Sequence, residues 1–220
     1  MRLRRKPWID QAIHDFEDTA LLDNFEAYKG KWRSLFTNPD LPLYMELGTG
    51  KGQFIAGMAE THPEINFVGF EVQLGVLYYA AMKLHEQAAK NGKVALFDIA
   101  NIEDVVAPGE VDRFYINFCD PWPKKKHAKR RLTYHTFLAR YARLLAKGGE
   151  VHFKTDNEGL FLFSLDEFRE AGWALKNVTY DLHSTDTPNI ETEYEHKFSA
   201  KGQPIFRLAA VKPEEADSHE

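Results

Sequence analysis

The hydrophobic positions fall into short apolar runs separated by longer stretches of helical spacing. The apolar runs predict seven strands, at 43–47, 66–71, 94–98, 112–118, 150–155, 174–181 and 205–211. The stretches between them place apolar residues three and four positions apart and predict helices at 53–62, 74–91, 102–106, 133–146 and 157–171. Strands that alternate with helices form a mostly parallel sheet with helices on both faces, so the pattern predicts an α/β fold.

The residues outside this alternating pattern divide into three segments. Four of the first six residues are basic, and we expect 1–8 to form a flexible basic arm. Aromatic and apolar residues at three- and four-residue steps predict a helical region over 9–42 that packs on the sheet. Four acids without a Lys or Arg predict a disordered acidic tail at 213–220. We therefore expect one domain over 1–212, with its core at 43–212.

Composition excludes several classes of protein. Hydrophobic content of 44% and charged content of 28% are ordinary for a globular domain. No apolar run approaches the roughly 18 residues of a membrane helix, and no apolar segment follows the basic N-terminus as in a secretory signal. The single cysteine excludes an intramolecular disulfide and favours a cytoplasmic location. The net charge of −5 leaves nucleic-acid binding to a local face rather than to the whole surface.

One stretch joins a candidate reaction centre to a candidate nucleic-acid surface. The predicted strand at 112–118 leads directly to Asp120, and a Pro-Trp-Pro corner follows. The two prolines should keep Asp120 and Trp122 extended and make this corner stiff. Six of the eight residues at 124–131 are Lys or Arg, with a His among them, which is the composition that a phosphate backbone attracts.

Four successive predicted strands end in, or just before, a carboxylate. These acids are Glu46, Glu71, Asp98 and Asp120. Because the carboxyl ends of parallel strands share one edge of the sheet, the four side chains are expected to converge on a single crevice.

A glycine-rich turn follows the first of these acids. Its sequence, E-L-G-T-G-K-G at 46–52, matches neither the spacing of the dinucleotide fingerprint nor that of a P-loop. Glycines let a ligand lie against the backbone, and the adjacent acid suits a ligand with positive charge, such as S-adenosylmethionine. Glu71 is placed to bind a ribose diol. A plain strand-to-helix turn with structural glycines would have the same local sequence.

Several longer motifs resemble the bacterial tRNA (guanine-N(7)-)-methyltransferase family over about 43–207. They are E-L-G-T-G-K-G-Q-F at 46–54, N-F-C-D-P-W-P-K-K-K-H at 117–127, K-R-R-L at 129–132, F-K-T-D-N at 153–157 and T-E-Y-E-H-K-F at 192–198. The resemblance implies a Rossmann-like class I methyltransferase fold with an antiparallel last strand. It also implies S-adenosylmethionine as cofactor, a guanosine in the variable loop of tRNA as substrate, and a monomer or homodimer. Cys119 departs from the family, in which a serine is common at this position.

The resemblance also implies roles for individual residues. Asp120 is implied as the catalytic residue. The implied cofactor-binding residues are Glu46, Gly48, Gly50, Gly52, Glu71, Asp98 and Asp120. The implied substrate-binding residues are Lys124, Asp156, Thr192, Glu193, Tyr194 and Glu195. The implied RNA-binding residues are Lys126, His127, Ala128, Lys129, Arg130 and Arg131.

The chemistry of guanine restricts what these residues need to do. Its N(7) atom has an in-plane lone pair and no proton, so methylation is a direct displacement without a general base. Asp120 is therefore expected to position the reactants and to stabilise the developing positive charge. The two donors on the Watson–Crick edge of guanine suit a carboxylate, for which Asp156 and Glu195 are candidates, and the base must be unstacked to reach it.

Alternatives remain for some of these residues. Asp156 could cap the helix that begins near residue 157, Trp122 and Tyr194 could pack rather than stack on a base, and 124–131 could be a solvated helix entry. Cys119 is disfavoured as a nucleophile because a neighbouring carboxylate raises the pKa of a thiol. No metal site is expected, because His127, His135 and His152 have neither partner cysteines nor the H-E-x-x-H spacing.

Two other functions fit the same fold. A methyltransferase acting on a small molecule would leave the basic run unexplained, and activity on free guanosine would reveal it. An RNA-binding module with an inactive methyltransferase fold would fail to bind S-adenosylmethionine. A nicotinamide-dependent dehydrogenase is disfavoured by the glycine spacing.

Overall fold

The computed structural model describes residues 6–214, which form an open sheet with helices on both faces. The strands are β1 (Ala20–Leu21), β2 (Leu43–Leu47), β3 (Asn66–Glu71), β4 (Gly92–Leu96), β5 (Val111–Asn117), β6 (Leu145–Thr155), β7 (Ala174–Thr179) and β8 (Phe206–Val211). Their order across the sheet is β1-β4-β3-β2-β5-β6-β8-β7. All neighbours from β1 to β6 are parallel, whereas β8 is antiparallel to both β6 and β7.

The helices form two layers. They are α1 (Ile9–Ala12), α2 (Gln53–Thr61), α3 (Leu74–Glu86), α4 (Ile102–Val105), α5 (His135–Leu144), α6 (Glu158–Glu170) and α7 (Glu193–Ser199). One face of the sheet packs on α2 and α3 around Phe54, Phe67 and Leu77. The other face packs on α4, α5 and α6 in a larger core that includes Phe114 and Phe153. The predicted α/β architecture, with helices on both faces and an antiparallel last strand, is confirmed.

The strand count differs from the prediction, because the described residues form eight strands rather than seven. The extra strand, β1, comes from the region at 9–42 that was predicted to be helical. Its two residues pair in parallel with Val94 and Ala95, and Val94 N donates to Thr19 O at 3.0 Å. The rest of 9–42 contains α1 and three short 3-10 helices, at 13–16, 25–28 and 32–35. Tertiary pairing to the edge of the sheet thus overrides the local helical spacing.

Two helices end earlier than their spacing predicts. The helix predicted to reach residue 91 ends at Glu86, because Ala88 has a left-handed φ of +50° and Ala89 N donates back to Leu84 O at 3.0 Å. The helix predicted to end in a glycine cap at 147–149 ends at Leu144, and β6 begins at once with the buried Leu145. Residues 1–5 of the expected basic arm and 215–220 of the expected tail lie outside the described range.

Candidate active site

The four predicted acids follow four neighbouring parallel strands. Glu46 lies in β2 and Glu71 ends β3, while Asp98 and Asp120 come shortly after β4 and β5. In the sheet these strands are adjacent, in the order β4-β3-β2-β5. Their carboxyl ends therefore meet at one edge, which is where open α/β sheets bind ligands.

The glycine loop between β2 and α2 presents open backbone at this edge. Gly48 and Gly50 have φ angles of +89° and +58°, and a Cβ on either would meet no atom within 4 Å. Gly52 serves a different purpose, because a Cβ there would lie 2.6 Å from Cα of Ala80 in α3. The first two glycines thus leave room for a ligand, and the third allows α2 and α3 to pack closely.

Glu46 is a buried carboxyl held between two strands. Glu46 is only 3% exposed, and its carboxyl group accepts hydrogen bonds from Thr49 Oγ1 at 2.5 Å and from Asn117 Nδ2 at 2.8 Å. Burial raises the pKa of Glu46 to about 7, although both hydrogen bonds act in the opposite direction. A cationic ligand beside this carboxyl would favour its ionised form.

Glu71 connects the end of β3 to the glycine loop. Its carboxylate accepts from the backbone N–H groups of Gly50 at 3.2 Å and of Val72 and Gln73 at 2.9 Å each. Burial raises the pKa of Glu71, which these three donors partly offset. Asp98 is exposed and accepts from Ala100 N at 2.9 Å, so it caps the short 3-10 helix at 99–101. Both acids therefore have backbone contacts that fix where their carboxylates point.

The corner after β5 is strained rather than extended. Phe118 has a φ of +51° and Trp122 a φ of +42°, so the prediction that Trp122 would be extended is wrong. Arg131 holds the corner in this conformation: its Nε donates to Pro121 O at 3.1 Å and its Nη2 to Trp122 O at 3.0 Å. A left-handed conformation at a bulky residue costs about 1–3 kcal/mol, which such contacts must offset. Asp120 is exposed between these two strained positions.

The basic segment at 124–131 forms a 3-10 helix at 125–130, with most of its side chains exposed. The Arg130 guanidinium lies 4.8 Å from the centre of the Trp122 ring, and the His127 ring packs edge-on against the same tryptophan at 5.8 Å. Arg131 is directed inward, and its guanidinium lies 4.2 Å from the centre of the Phe163 ring. The structure thus separates Arg131, a bracing residue, from the exposed cations before it.

Asp156 and Tyr194 meet beside this corner. Asp156 Oδ2 accepts from Tyr194 Oη and from Gln203 Nε2, each at 3.2 Å. Asn157 caps α6 instead, because its Oδ1 accepts from Leu160 N at 2.8 Å. Asp156 is therefore not the helix cap, which was one of its two sequence-based interpretations.

Tyr194 packs with other aromatic side chains and not with the polar residues alone. Its ring stacks on Phe198 at 4.3 Å and contacts Phe118 at 5.3 Å, yet Tyr194 remains 45% exposed. Sequence reasoning did not find Gln203, which lies in a turn without a local signal for chemistry.

Glu195 lies in a buried ion pair. It is 0% exposed, and its Oε2 lies 2.7 Å from Nζ of Lys154 in β6. Its Oε1 accepts from Asn189 Nδ2 at 2.7 Å and lies 3.1 Å from Nε2 of His183. Lys154 also donates to Asn189 Oδ1 at 2.8 Å and to Ile190 O at 3.0 Å. This network fastens α7 and the segment before it to the sheet.

Lys154 was not predicted as a site residue. The available signal was a lysine inside a predicted strand, at 150–155, but its partner lies 41 positions along the chain. Among the other predicted substrate residues, Thr192 caps α7 by accepting from Glu195 N at 2.9 Å, and Glu193 pairs with Lys83 of α3. Lys124 is exposed at the start of the basic segment.

Cys119 has the environment of a packed thiol. Burial, together with the neighbouring Asp120, raises its pKa to about 12, so it carries little thiolate at neutral pH. No cluster of three or more His, Cys, Asp or Glu side chains within residues 6–214 is arranged to hold a metal ion. None of the helices in the same range is long and apolar enough to cross a membrane.

Comparison with known proteins shows which fold the chain shares. Residues 40–208 match a family model described as "Putative methyltransferase". Among solved structures, an antibiotic-related methyltransferase superimposes with a TM-score of 0.56 at 16% identity, covering 77% of this chain and 86% of that one. A SAM-dependent methyltransferase from Aquifex aeolicus gives a TM-score of 0.54 at 13% identity, covering 93% and 89%. The chain thus has the fold of a class I methyltransferase.

Relatives of higher identity define the family. The tRNA (guanine-N(7)-)-methyltransferase of Bacillus subtilis is 51% identical over 208 residues, which cover 94% of this chain and 97% of the relative. The protein of the same name from Streptococcus agalactiae is 48% identical over 211 residues, covering 96% and 99%. The chain belongs to the tRNA (guanine-N(7)-)-methyltransferase family.

Proposed function

We propose that this protein transfers a methyl group from S-adenosylmethionine to the N(7) atom of a guanosine in tRNA. The proposal rests on the 51% identity, over nearly the full length, to the tRNA (guanine-N(7)-)-methyltransferase of Bacillus subtilis. The acid-lined sheet edge beside a basic segment supports it. The variable loop is the expected location of the guanosine.

The donor set at the sheet edge fits S-adenosylmethionine. The backbone at Gly48 and Gly50 leaves room for a ligand, and Glu46 and Glu71 offer carboxylates to a ligand with positive charge and hydroxyl groups. When bound, the cofactor supplies an electrophilic methyl group on a sulfonium. In this proposal Glu46 lies near its cationic groups, while Glu71 and Asp98 accept from its hydroxyl or amino groups.

Asp120 acts through position and charge. It is exposed at the end of β5, held between the two strained residues of the braced corner. The guanine N(7) lone pair attacks without losing a proton, so no group needs to act as a general base. The purine gains positive charge as the bond forms, and a carboxylate fixed beside it favours that charge.

Asp156 is the carboxylate we propose for the Watson–Crick edge of the guanine. It is partly exposed, and its contacts are two long hydrogen bonds of 3.2 Å, which a ligand can replace. Glu195 is fully buried with both oxygens engaged, so we propose that it acts by positioning α7, and with it Tyr194. The exposed cations at 124–130 are the proposed contacts to the RNA backbone.

The test is methyl transfer from labelled S-adenosylmethionine to unmodified tRNA, followed by nucleoside analysis. Label is expected in 7-methylguanosine with the native protein. Asp120→Ala is expected to abolish it, whereas Asp166→Ala, which removes an exposed acid of α6, should leave it unchanged. Label on free guanosine at a comparable rate would show that the substrate is a small molecule. Label in 5-methylcytidine would overturn the proposed chemistry.

A further inference from the structure

A cavity on one face of the sheet is lined by cations and by no acid. It has a volume of about 470 Å³ and lies between α2, the strands β5, β6 and β8, and the segment at 188–190. Three basic side chains line it, Arg113, Lys154 and Arg207, together with the aromatic rings of Phe54 and Tyr115. None of the described residues that line it is Asp or Glu. The carboxylates nearest these cations, Glu150 and Glu195, lie behind the lining rather than in it.

Two of the three cations form an ion pair next to the cavity, and the third forms none with the part of the chain that the structure describes. Lys154 pairs with Glu195, and Arg113 Nη2 lies 3.0 Å from Oε2 of Glu150. The side chain of Arg207 makes no hydrogen bond or ion pair with any residue in 6–214. Its Nη1 and the Nε of Arg113 are both buried without an acceptor. Buried N–H donors almost always have a partner, so this pair of arginines is incompletely satisfied. The other N–H groups of Arg207 also lack an acceptor in 6–214 but are not fully buried, so a ligand in the cavity can reach them.

The sheet register explains why Arg207 reaches this position. Arg207 pairs with Lys154 across β6 and β8, and the next position on the same face of β8 is Ala209, opposite His152. Because alanine fills little space, the arginine side chain can lie over the sheet there. Burial lowers the pKa of Arg207, against the opposing effects of Tyr115 and Glu150, so its charge is poorly hydrated.

We propose that this cavity binds a phosphate group, with Arg207 and Arg113 donating to its oxygens. A planar guanidinium presents its donors in a fork that matches phosphate, and Arg207 has its fork free for such a contact. The volume exceeds that of a phosphate ion, so the group can belong to a larger molecule. It could be supplied by a free phosphate ester or by an RNA backbone. The site is separate from the basic segment at 124–131, and it reaches the acid-lined edge through Asn117 and Lys154.

Side-chain NMR of the two arginines tests the proposal directly. The Nε–Hε signals of Arg113 and Arg207 would be followed while inorganic phosphate, guanosine monophosphate or a five-nucleotide RNA is added at constant ionic strength. Both signals are expected to shift and saturate together. Because hydrogen bonds to charged groups are strong, Arg207→Gln should weaken phosphate binding at least about tenfold, as read from the Arg113 signal. Arg207→Lys keeps the charge but not the forked pair of donors, so its phosphate affinity should lie between that of the native protein and that of Arg207→Gln.

A matched control is Arg169→Gln, which removes an exposed arginine of α6 that is paired with Asp166 at 3.7 Å. It should bind phosphate like the native protein. A backbone amide spectrum establishes that each variant is folded; if Arg207→Gln is not, Arg207→Lys and the native titration carry the test. Tighter binding of the RNA than of the monophosphate, lost in the variant, would identify an RNA backbone as the source, and equal binding would identify a free ester. Signals of Arg113 that do not saturate with any probe, or equal affinity in Arg207→Gln, would overturn the proposal.

Discussion

Replacing Lys154 with methionine should lower the free energy of unfolding by about 3 kcal/mol. The change leaves the Glu195 carboxylate buried without its cation, at a residue that is 0% exposed. Removing one partner of a buried ion pair costs roughly 3–5 kcal/mol. The low end applies because Asn189 still donates to Glu195, and His183 still lies within hydrogen-bonding distance. Methionine fills much of the lysine volume, so no large cavity adds to the loss.

A double-mutant cycle separates the ion pair from other effects of the substitution. In Lys154→Met/Glu195→Gln no charge is left unpaired in the interior, so at least half of the lost stability should return. The coupling between the two sites, which is the sum of the two single losses minus the double loss, should then exceed about 1.5 kcal/mol. Urea denaturation at pH 7, followed by circular dichroism, gives each free energy. For a chain of this size the single variant should melt roughly 6–12 °C below the native protein.

The same variant also tests the proposed role of Glu195. If Glu195 positions α7, Lys154→Met should raise KM for tRNA while the Kd for S-adenosylmethionine changes little, because the glycine loop is untouched.

Two results would refute the reasoning about the stability of the buried ion pair. One is a single variant within 1 kcal/mol of the native protein, and the other is a double variant that loses the sum of the two single losses.

Three further predictions concern the sheet edge and the corner. The pKa of Glu46 is about 7 in the folded protein and about 4.5 when unfolded, so the folded state holds the proton more tightly. As pH rises from 4.5 to 7, the free energy of unfolding should therefore fall by about 3 kcal/mol relative to that of Glu46→Gln. Denaturation of both proteins across this range measures the difference, and parallel pH curves would contradict the prediction. Asp156→Ala should raise KM for tRNA and lower kcat with the cofactor Kd nearly kept, whereas an equal loss of cofactor binding in calorimetry would exclude its assignment to guanine. Replacing Lys125, Lys126 and Lys129 with glutamine should reduce the slope of log K for tRNA binding against log salt concentration by as much as about 0.9 per lost phosphate contact. Arg131→Gln should instead lower the melting temperature. An unchanged slope in the triple variant would contradict the proposed RNA surface.

The sequence was sufficient to predict the parts of the site that follow from local pattern. β2 and β3 begin and end where their apolar runs do, and the acids after four strands reach one edge because parallel topology puts them there. The glycine spacing also predicted the loop, because a positive φ is a requirement of the individual residue that favours glycine there. These features depend on a few consecutive residues and on the known handedness of α/β folds.

The parts that were not predicted depend on distant partners. The sequence does not distinguish Arg131 from the other basic residues at 124–131. In the structure its guanidinium donates to the carbonyls of Pro121 and Trp122 and packs on the Phe163 ring. Trp122 is pulled out of the extended conformation that Pro123 favours by the same bracing contacts. The motif around Glu195 likewise gives no sign of its burial or of its ion pair with Lys154. In each case the partner lies outside the short motif that contains the residue, nine or ten positions away for Arg131 and 41 positions away for Glu195.

The bracing of the corner by Arg131 has a consequence for the entropy of association. Its two hydrogen bonds close a short loop from Pro121 to Arg131, so the exposed cations of the basic segment are tethered at both ends of that loop. Segments that become ordered only on contact lose conformational freedom at that moment, and this loss weakens binding. Here the folded protein has already restricted the segment. If these residues bind the RNA backbone as proposed, they do so as a preorganised surface at a fixed separation from Asp120, and docking of the RNA also sets the position of the base.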